Sequence, residues 1–475
     1  MSDKTLLQHL AEFAADVEYG ALPAEVTTSM RQRVLDIAGL NLAARPLATS
    51  DMALAVARQW GGPEEAQMIA YEGRLPAAAA GFVNGTLAHS LDYDDTHLPS
   101  VLHPSASVVP AALAAGEAVG ASLHEVLAAA AAGYEIIIRT GMAAYDRELG
   151  NSVFFERGWH ATSICGTLAA AAVGARLYGL GADGIGHAMG IAASMGSGII
   201  EGNRSGGSVK RLHCGWAVHA GLVAAQCARE GFTGPPTAFE GRFGFYQAYC
   251  GDALFPHEIT DGLGSEWCIP GVFYKPYPAN HFTHAGIDAA RALRQRVAVE
   301  DIAALELRVS SPTLRTIAQP REQKIRPQSG YHGQFSGPFT VAVGFLGGGS
   351  GLGVWLDDFT DENASDPRYL ELAAKVEVTS DPACDAIFPH QFPAILALRT
   401  HGGETLEERV MANRGGAENP LSEAEIKIKF RANAGRVLEP EDAERLALAI
   451  LDAEDKPVTE LLRPAQEALT RSVLV

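Results

Sequence analysis

Between Asn84 and Ser105 the chain reads NGTLAHSLDYDDTHLPSVLHPS, which places three carboxylates (Asp92, Asp94, Asp95) and three imidazoles (His89, His97, His103) within fifteen positions. The flanking sequence is almost wholly Ala, Gly, Leu and Val. Ionisable groups are costly in apolar surroundings unless they are paired, so this density calls for a chemical reason. Imidazole titrates near neutral pH and moves protons, and carboxylates orient and tune it. Further basic groups stand in segments marked by Pro or Gly: His160 in RGWHATS, Lys210 and His213 in SVKRLHCG, and Lys275 in FYKPYPANHFTH. Each alone is more often structural or exposed. Together, lysines that neutralise carboxylates and histidines that exchange protons suit chemistry at a carbon next to a carboxylate.

Other chemistries fit less well. Gly179-Leu-Gly181-Ala-Asp-Gly184 matches GxGxxG but follows a helical pattern where the dinucleotide fingerprint needs a strand, so a helix-to-helix turn is expected. GNRSGGSVK (Gly202 to Lys210) lacks the Gly-Lys-Ser/Thr ending of a P-loop, although its backbone N–H groups and Lys210 could receive a carboxylate; a surface loop is the alternative. His124-Glu125 has no second histidine for HExxH. His281 and His284 share a helical face but lack an evident third ligand. Asp92, Asp94 and Asp95 resemble a calcium loop in charge alone. No metal site is expected.

The elements that must position these residues follow from size and pattern. A chain of 475 residues exceeds one ordinary core, so two domains are expected. Its 47% hydrophobic and 20% charged residues are those of a soluble globular protein. A net charge of −19 without any Lys/Arg run argues against nucleic acid or an anionic membrane as partner, while a local Lys/His cluster can still receive a small anion. The N-terminus lacks a signal-peptide layout, and the apolar stretches are broken by charges, Pro338 or glycines, so no membrane span is expected. Six scattered cysteines without a CxxC pair fit reduced thiols and a cytoplasmic location.

To about Gly251 the periodicity is helical. Leu6, Leu10 and Phe13 lie on one face, Pro23 opens a helix toward Ala44, Ser50-Asp51 is expected to cap a third, and Ser122-x-x-Glu125 is a capping box. Helices are expected over 161–178, 185–199 and 216–229, rich in small residues that let backbones approach. After Trp267 prolines and aromatics appear. Leu305, Leu307 and Val309 alternate as a strand, and 395–400 with 405–411 form a hairpin across His401–Glu404. Two helices intervene, one near Pro338 and one over 366–375. The expected fold is mainly α: a helical domain over 1–268, a smaller α+β lid domain over 269–415, and C-terminal helices over 416–475 that rejoin the first domain.

At this point the chain resembles the MmgE/PrpD family over nearly its whole length. The resemblance is carried by Asn84-Gly-Thr-Leu-Ala-His-Ser-Leu-Asp-Tyr-Asp-Asp-Thr96, His103-Pro-Ser, Gly158-Trp-His-Ala-Thr-Ser163, Lys210 with His213, Tyr274-Lys275-Pro-Tyr-Pro278 and Lys429-Phe-Arg-Ala-Asn433. It implies a homodimer that needs no metal or organic cofactor, with a site between helical domain and lid. Activities in the family span dehydration of 2-methylcitrate, decarboxylation of cis-aconitate and epimerisation of iminodisuccinate. It implies Asp92, His103, His160, Lys210 and Lys275 as catalytic residues. His103 and His160 would transfer protons, Asp92 would orient a histidine, and both lysines would hold carboxylates. Arg204, Arg211, His213, Tyr274 and His281 are expected to bind substrate. In the decarboxylase branch a tyrosine aligns with Phe339, so dehydration of a small di- or tricarboxylic hydroxy acid is the first expectation. Epimerisation comes second and decarboxylation third. A carboxylate-binding protein without catalysis is the reading from another class.

Overall fold

The computed structural model describes residues 4–202, 207–452 and 454–473. It clusters into two compact units, Met1–Val272 with Phe430–Val475 (unit 1) and Phe273–Lys429 (unit 2). The expected boundaries at 268 and 415 differ from these. Residues beyond 415 pack with unit 2 because Tyr274 N donates to Gly415 O (3.0 Å), Gly415 N to Asn419 O (2.7 Å), and Arg414 pairs with Glu425. The fold is mainly α with a smaller α+β part. Among the described residues no helix is long and apolar enough to cross a membrane.

Unit 1 is helical. Its helices include α1 (Leu6–Asp16), α2 (Ala24–Ala44), α3 (Ala48–Trp60), α4 (Ala77–His89), α5 (Ser105–Val119), α6 (Leu123–Met142), α7 (Ala161–Leu177), α8 (Gly181–Ala192) and α9 (Val209–Arg229). Thr5 with Gln8 and Ser122 with Glu125 form capping boxes that start α1 and α6. The third helix departs from expectation: α3 begins at Ala48, and Ser50 bonds back to Ala44 O (2.8 Å) instead of capping it. Of the fingerprint-like glycines, Gly179 lies in the turn between α7 and α8 and Gly181 opens α8, at φ 76° and 63°, while Gly184 lies within it, so α8 begins and ends earlier than periodicity suggested.

Every residue of α4 is buried, as a helix without a polar face must be. It packs against α9, which also packs against α7. The contacts are made by backbone. A Cβ at Gly215 would lie 2.0 Å from Thr86 Oγ1 and 2.3 Å from Phe82 O of α4; one at Gly221 would lie 2.7 Å from Thr167 O of α7. α9 starts about two turns before the expected Trp216, which puts Lys210 and His213 on neighbouring turns of a helix.

Unit 2 holds a four-stranded sheet of β1 (Ile302–Val309), β2 (Val376–Ser380), β3 (Ala394–Thr400) and β4 (Thr405–Val410), in the order β2-β1-β3-β4. β3 and β4 are the expected hairpin, with Arg399 opposite Thr405. β1 pairs antiparallel with β3 and parallel with β2, a strand that periodicity did not reveal. The parallel link needs a long crossover, and it carries α11 (Gly337–Leu346) and α12 (Pro367–Ala374). Leu305, Leu307 and Val309 share the core with α10 (His284–Leu293) and α11. Phe339 belongs to this core: it is wholly buried, its ring 5.9 Å from Tyr369 and 6.5 Å from Phe359.

The glycine crossings yield a direct test. Gly215→Ala and Gly221→Ala should each lower stability by about 1–3 kcal/mol through overpacking. Gly271→Ala, where a Cβ meets nothing within 4 Å, should stay within about 0.5 kcal/mol of the parent. Urea denaturation followed by circular dichroism reads all three, and equal midpoints would remove the close-approach argument.

Candidate active site

The segment after α4 is buried almost throughout although it is polar. Ser90, Asp92, Asp94, Asp95, Thr96, Ser100 and His103 are all withdrawn from solvent. Its anchor is Asp95, whose carboxylate forms a buried ion pair with Arg33 of α2. The same carboxylate accepts from Ser105 N (3.0 Å), Ser105 Oγ (2.6 Å) and Tyr134 OH (3.3 Å). Arg33 in turn donates to Val272 O (2.8 Å) and Ile269 O (3.3 Å). One ion pair thus joins α2, the starts of α5 and of the 269–272 turn, and α6.

The backbone is strained within this segment. Among the described residues, the non-glycine residues with left-handed φ are Asp92 (51°) and Val101 (53°). Such conformations cost of order 1–3 kcal/mol each and persist where surrounding structure over-determines them, often at functional sites. Here the fixing contacts are the reciprocal His97 N→Leu102 O (2.8 Å) and Leu102 N→His97 O (3.3 Å) bonds, with His97 Nδ1 against Ser100 Oγ (2.6 Å).

Asp92 faces α9. Lys210 Nζ donates to Asp92 Oδ1 at 2.5 Å, and the pair is nearly buried. A carboxylate–imidazole bond is made by Asp94, whose Oδ2 lies 2.8 Å from His89 Nδ1 and 4.0 Å from His103 Nδ1. His103 Nδ1 lies 2.7 Å from Asp95 O, and His103 N donates to Thr162 Oγ1 (3.1 Å). Because a carbonyl can only accept, Nδ1 of His103 carries the hydrogen, and the lone pair of the neutral ring is at Nε2. His160 closes the approach to α7 with its N–H on Gly198 O (3.0 Å).

The Nδ1 atoms of His160 and His213 are 2.9 Å apart. One must donate and the other accept, so a neutral pair offers one Nε2 lone pair and one Nε2–H. Burial and the charges of His213, His89, Lys210 and His103 hold His160 well below the ordinary imidazole range. Burial, then His89 and Lys210, pushes His213 down to about 4. Both rings are therefore neutral at pH 7. Ring centroids run 5.1 Å from His103 to His89, 5.4 Å to His160 and 4.9 Å on to His213. A lysine–carboxylate pair beside neutral imidazoles, with both a donor and an acceptor among them, can bind an anion and move a proton.

Of the residues expected from the sequence, Asp92, His103, His160, Lys210 and His213 come together in unit 1. Arg211 donates to Thr49 Oγ1 of the α3 start (3.3 Å). Arg204 lies outside the described residues. Lys275, Tyr274 and His281 belong to unit 2, where Lys275 is buried and His281 packs against His284 (4.6 Å), Phe273 and Phe392. His89 and Asp94 were not among the site residues expected from the sequence. Their bond is visible in retrospect as a histidine ending an apolar helix with an aspartate five residues on.

Residues 8–258 match the MmgE/PrpD N-terminal domain and residues 277–455 the MmgE/PrpD C-terminal domain. The chain is 27% identical over 475 residues to the cis-aconitate decarboxylase-like protein oryM of Aspergillus oryzae, covering 95% of each. It is 26% identical over 479 residues to the cis-aconitate decarboxylase of Homo sapiens, covering 95% of this chain and 92% of that one. With the cis-aconitate decarboxylase of Aspergillus terreus it shares 25% over 477 residues, 95% of each.

Two measurements probe this geometry. Arg33→Met strands a buried carboxylate and should cost about 3–5 kcal/mol, of which adding Asp95→Asn restores part; a purely additive double variant contradicts the anchor. The second concerns pH. Unfolded histidine protonates near pH ~6.5, whereas folded His160 and His213 resist the proton. Unfolding therefore takes up protons below that value, and stability should fall as pH drops from about 6.5 toward 4. His213→Gln should flatten this slope, and urea midpoints from pH 7 to 5 that run parallel to wild type would show that His213 does not titrate this way.

Proposed function

The chain belongs to the MmgE/PrpD family, and from that premise we propose that it is a lyase acting next to a carboxylate of a small tricarboxylic acid. The observation that carries this reading is the buried imidazole array of His103, His89, His160 and His213 beside the Lys210–Asp92 pair. Lys210, with Asp92 holding its ammonium, receives a substrate carboxylate. Its charge stabilises the negative charge that develops on the substrate, most effectively where water is excluded. His103 through Nε2 and the His160–His213 pair serve as the proton-transfer groups.

Two lyase reactions use these groups. In dehydration, a base takes the proton α to a carboxylate while an acid protonates the departing hydroxyl. In decarboxylation, the bond to a carboxyl carbon breaks, CO2 leaves, the electron pair stays on the substrate carbon, and an imidazole N–H protonates it while the ring regains a proton from water at its other nitrogen. The names of the relatives favour decarboxylation of a cis-aconitate-like acid. The position of Phe339 in the unit 2 core takes weight from the argument that ranked this reaction last. Dehydration is the second reading.

Incubation with cis-aconitate, citrate-like and aspartate-like acids in D2O separates the readings by NMR and CO2 release. CO2 with deuterium in the new C–H bond supports decarboxylation; a new alkene without CO2 supports dehydration. Deuterium at Cα with neither would sink the lyase reading in favour of epimerisation, and binding without turnover would favour a carboxylate-binding protein. On the substrate found, Lys210→Ala and His103→Ala should each lose about 10²-fold or more in kcat/KM. Full activity in both variants refutes the site.

A further inference from the structure

Unit 1 holds a cavity that the mechanism above does not use. It measures about 510 Å³ and opens on the surface, and its walls carry Arg74, Arg463 and Arg471 with Gln67, Glu467 and Thr470 beside them. Gln67 and Arg74 face each other on two short antiparallel strands, Ala66–Gln67 and Arg74–Leu75. The other four stand on the C-terminal helix, Arg463–Val473. None of them belongs to the imidazole array. Three guanidiniums against one carboxylate leave these walls positive, in a chain whose own balance is −19.

Each guanidinium is held from one side by a carboxylate. Arg471 Nη2 lies 2.7 Å from both carboxylate oxygens of Asp442, and Arg463 Nε donates to Glu467 Oε1 (2.9 Å). Arg74 Nη2 lies 3.2 Å from Glu117 Oε2, a carboxylate buried near the end of α5. Arg445 ties two of these anchors together, with Nη1 on Asp442 (3.3 Å) and Nη2 on Glu467 (2.7 Å). The floor is fixed as firmly. Gln67 is buried, its N and Nε2 donate to Glu117 (2.7 and 3.2 Å), and Asn84 of α4 donates to Gln67 O (3.1 Å). Gln466 Nε2 pins the helix to the carbonyls of Met68 (2.7 Å) and Tyr71 (3.1 Å).

These anchors occupy only part of each fork. Nη1 and Nη2 of Arg463, and Nε and Nη1 of Arg471, have no hydrogen-bond partner among the described residues. A guanidinium presents five N–H donors in a fixed plane, and a carboxylate or phosphate can take two of them in parallel. Exposed ion pairs add little to stability, so folding alone gives small reason to gather three arginines round one opening. Side chains already held by their anchors also lose less freedom when a ligand arrives. The volume is that of a small-molecule site, about 300–1,000 Å³, while the polar walls suit charge in place of apolar surface.

We propose that this cavity is an anion site, separate from the imidazole array, that takes a small molecule bearing two or more carboxylate or phosphate groups. One group bridges the open donors of Arg463 and Arg471 on the helix, and another meets Arg74 on the strand side. The inference does not depend on the reaction assigned to the imidazoles.

Calorimetric titration of the full chain at low ionic strength, with inorganic pyrophosphate and with citrate, tests it. At least one should bind, and which one does tells a phosphate ligand from a carboxylate ligand. Citrate can also enter the imidazole site, so variants assign the binding. Arg463→Gln combined with Arg471→Gln should weaken it about tenfold or more. Arg431→Gln, at an exposed arginine outside the cavity that pairs with Glu444 at 2.8 Å, should leave it unchanged. Should the double variant fail to fold, Thr470→Glu decides, because it sets a carboxylate at the cavity wall and leaves every ion pair named above in place. It should weaken binding to the same degree. Wild-type affinity in the cavity variants, an equal loss in Arg431→Gln, or no binding of either probe at millimolar concentration overturns the proposal and leaves the arginines as a surface ion-pair network.

Discussion

A guanidinium and a carboxylate meeting inside the helical unit, Arg33 and Asp95, hold together what the rest of the site is built on. A buried ion pair is a poor source of net stability, because both ions lose their water. Its value here is specificity of position. Asp95 has its oxygens on Arg33, Ser105 and Tyr134, and Arg33 has further donors on the carbonyls of Ile269 and Val272. A polar segment that would otherwise seek solvent is thereby kept inside, in one register. Within that register Asp92 and Val101 take left-handed conformations, and the Asp92 carboxylate meets Lys210.

The charge design follows from that confinement. The chain as a whole is strongly acidic, at −19, yet His160 and His213 are held neutral by burial and by the positive charges near them. The carboxylates of the segment are divided among different tasks: Asp95 anchors, Asp92 binds the lysine, and Asp94 binds His89. Three aspartates that look alike in sequence are made distinct by their partners. No single one could be given its role from spacing alone.

Much of the fold was legible because its signals are local. The capping box at Ser122, Pro23 before α2, and the alternation of Leu305, Leu307 and Val309 each act within a few residues. The misreadings arose where tertiary contacts decide. Ser50 bonds back to Ala44 instead of capping, and α9 begins at Val209 directly after a glycine-rich run that reads as loop. β2 is half exposed and pairs in parallel with a strand far earlier in the chain, so neither periodicity nor a turn announces it. In the site, residue types and motifs were readable from the string, whereas the His89–Asp94 and His160–His213 pairings depend on helices that cross in space. The ring of Phe339, read from the sequence as lacking a hydroxyl, lies in the core of unit 2.

The discontinuity of unit 1 has a consequence for how the protein is made. Its helices up to 272 are synthesised first, but α2 packs against Phe430 through Gly39, and Arg31 donates to Ile450 O. Those partners are translated after all of unit 2. While the ribosome makes the intervening residues, the first helices carry apolar surface with nothing yet to cover it, and such surface is where nascent chains aggregate. Unit 2, continuous in sequence, can complete its own core before unit 1 is closed. In the order of synthesis, the segment that completes the helical unit, from Phe430 onward, is the last to become available.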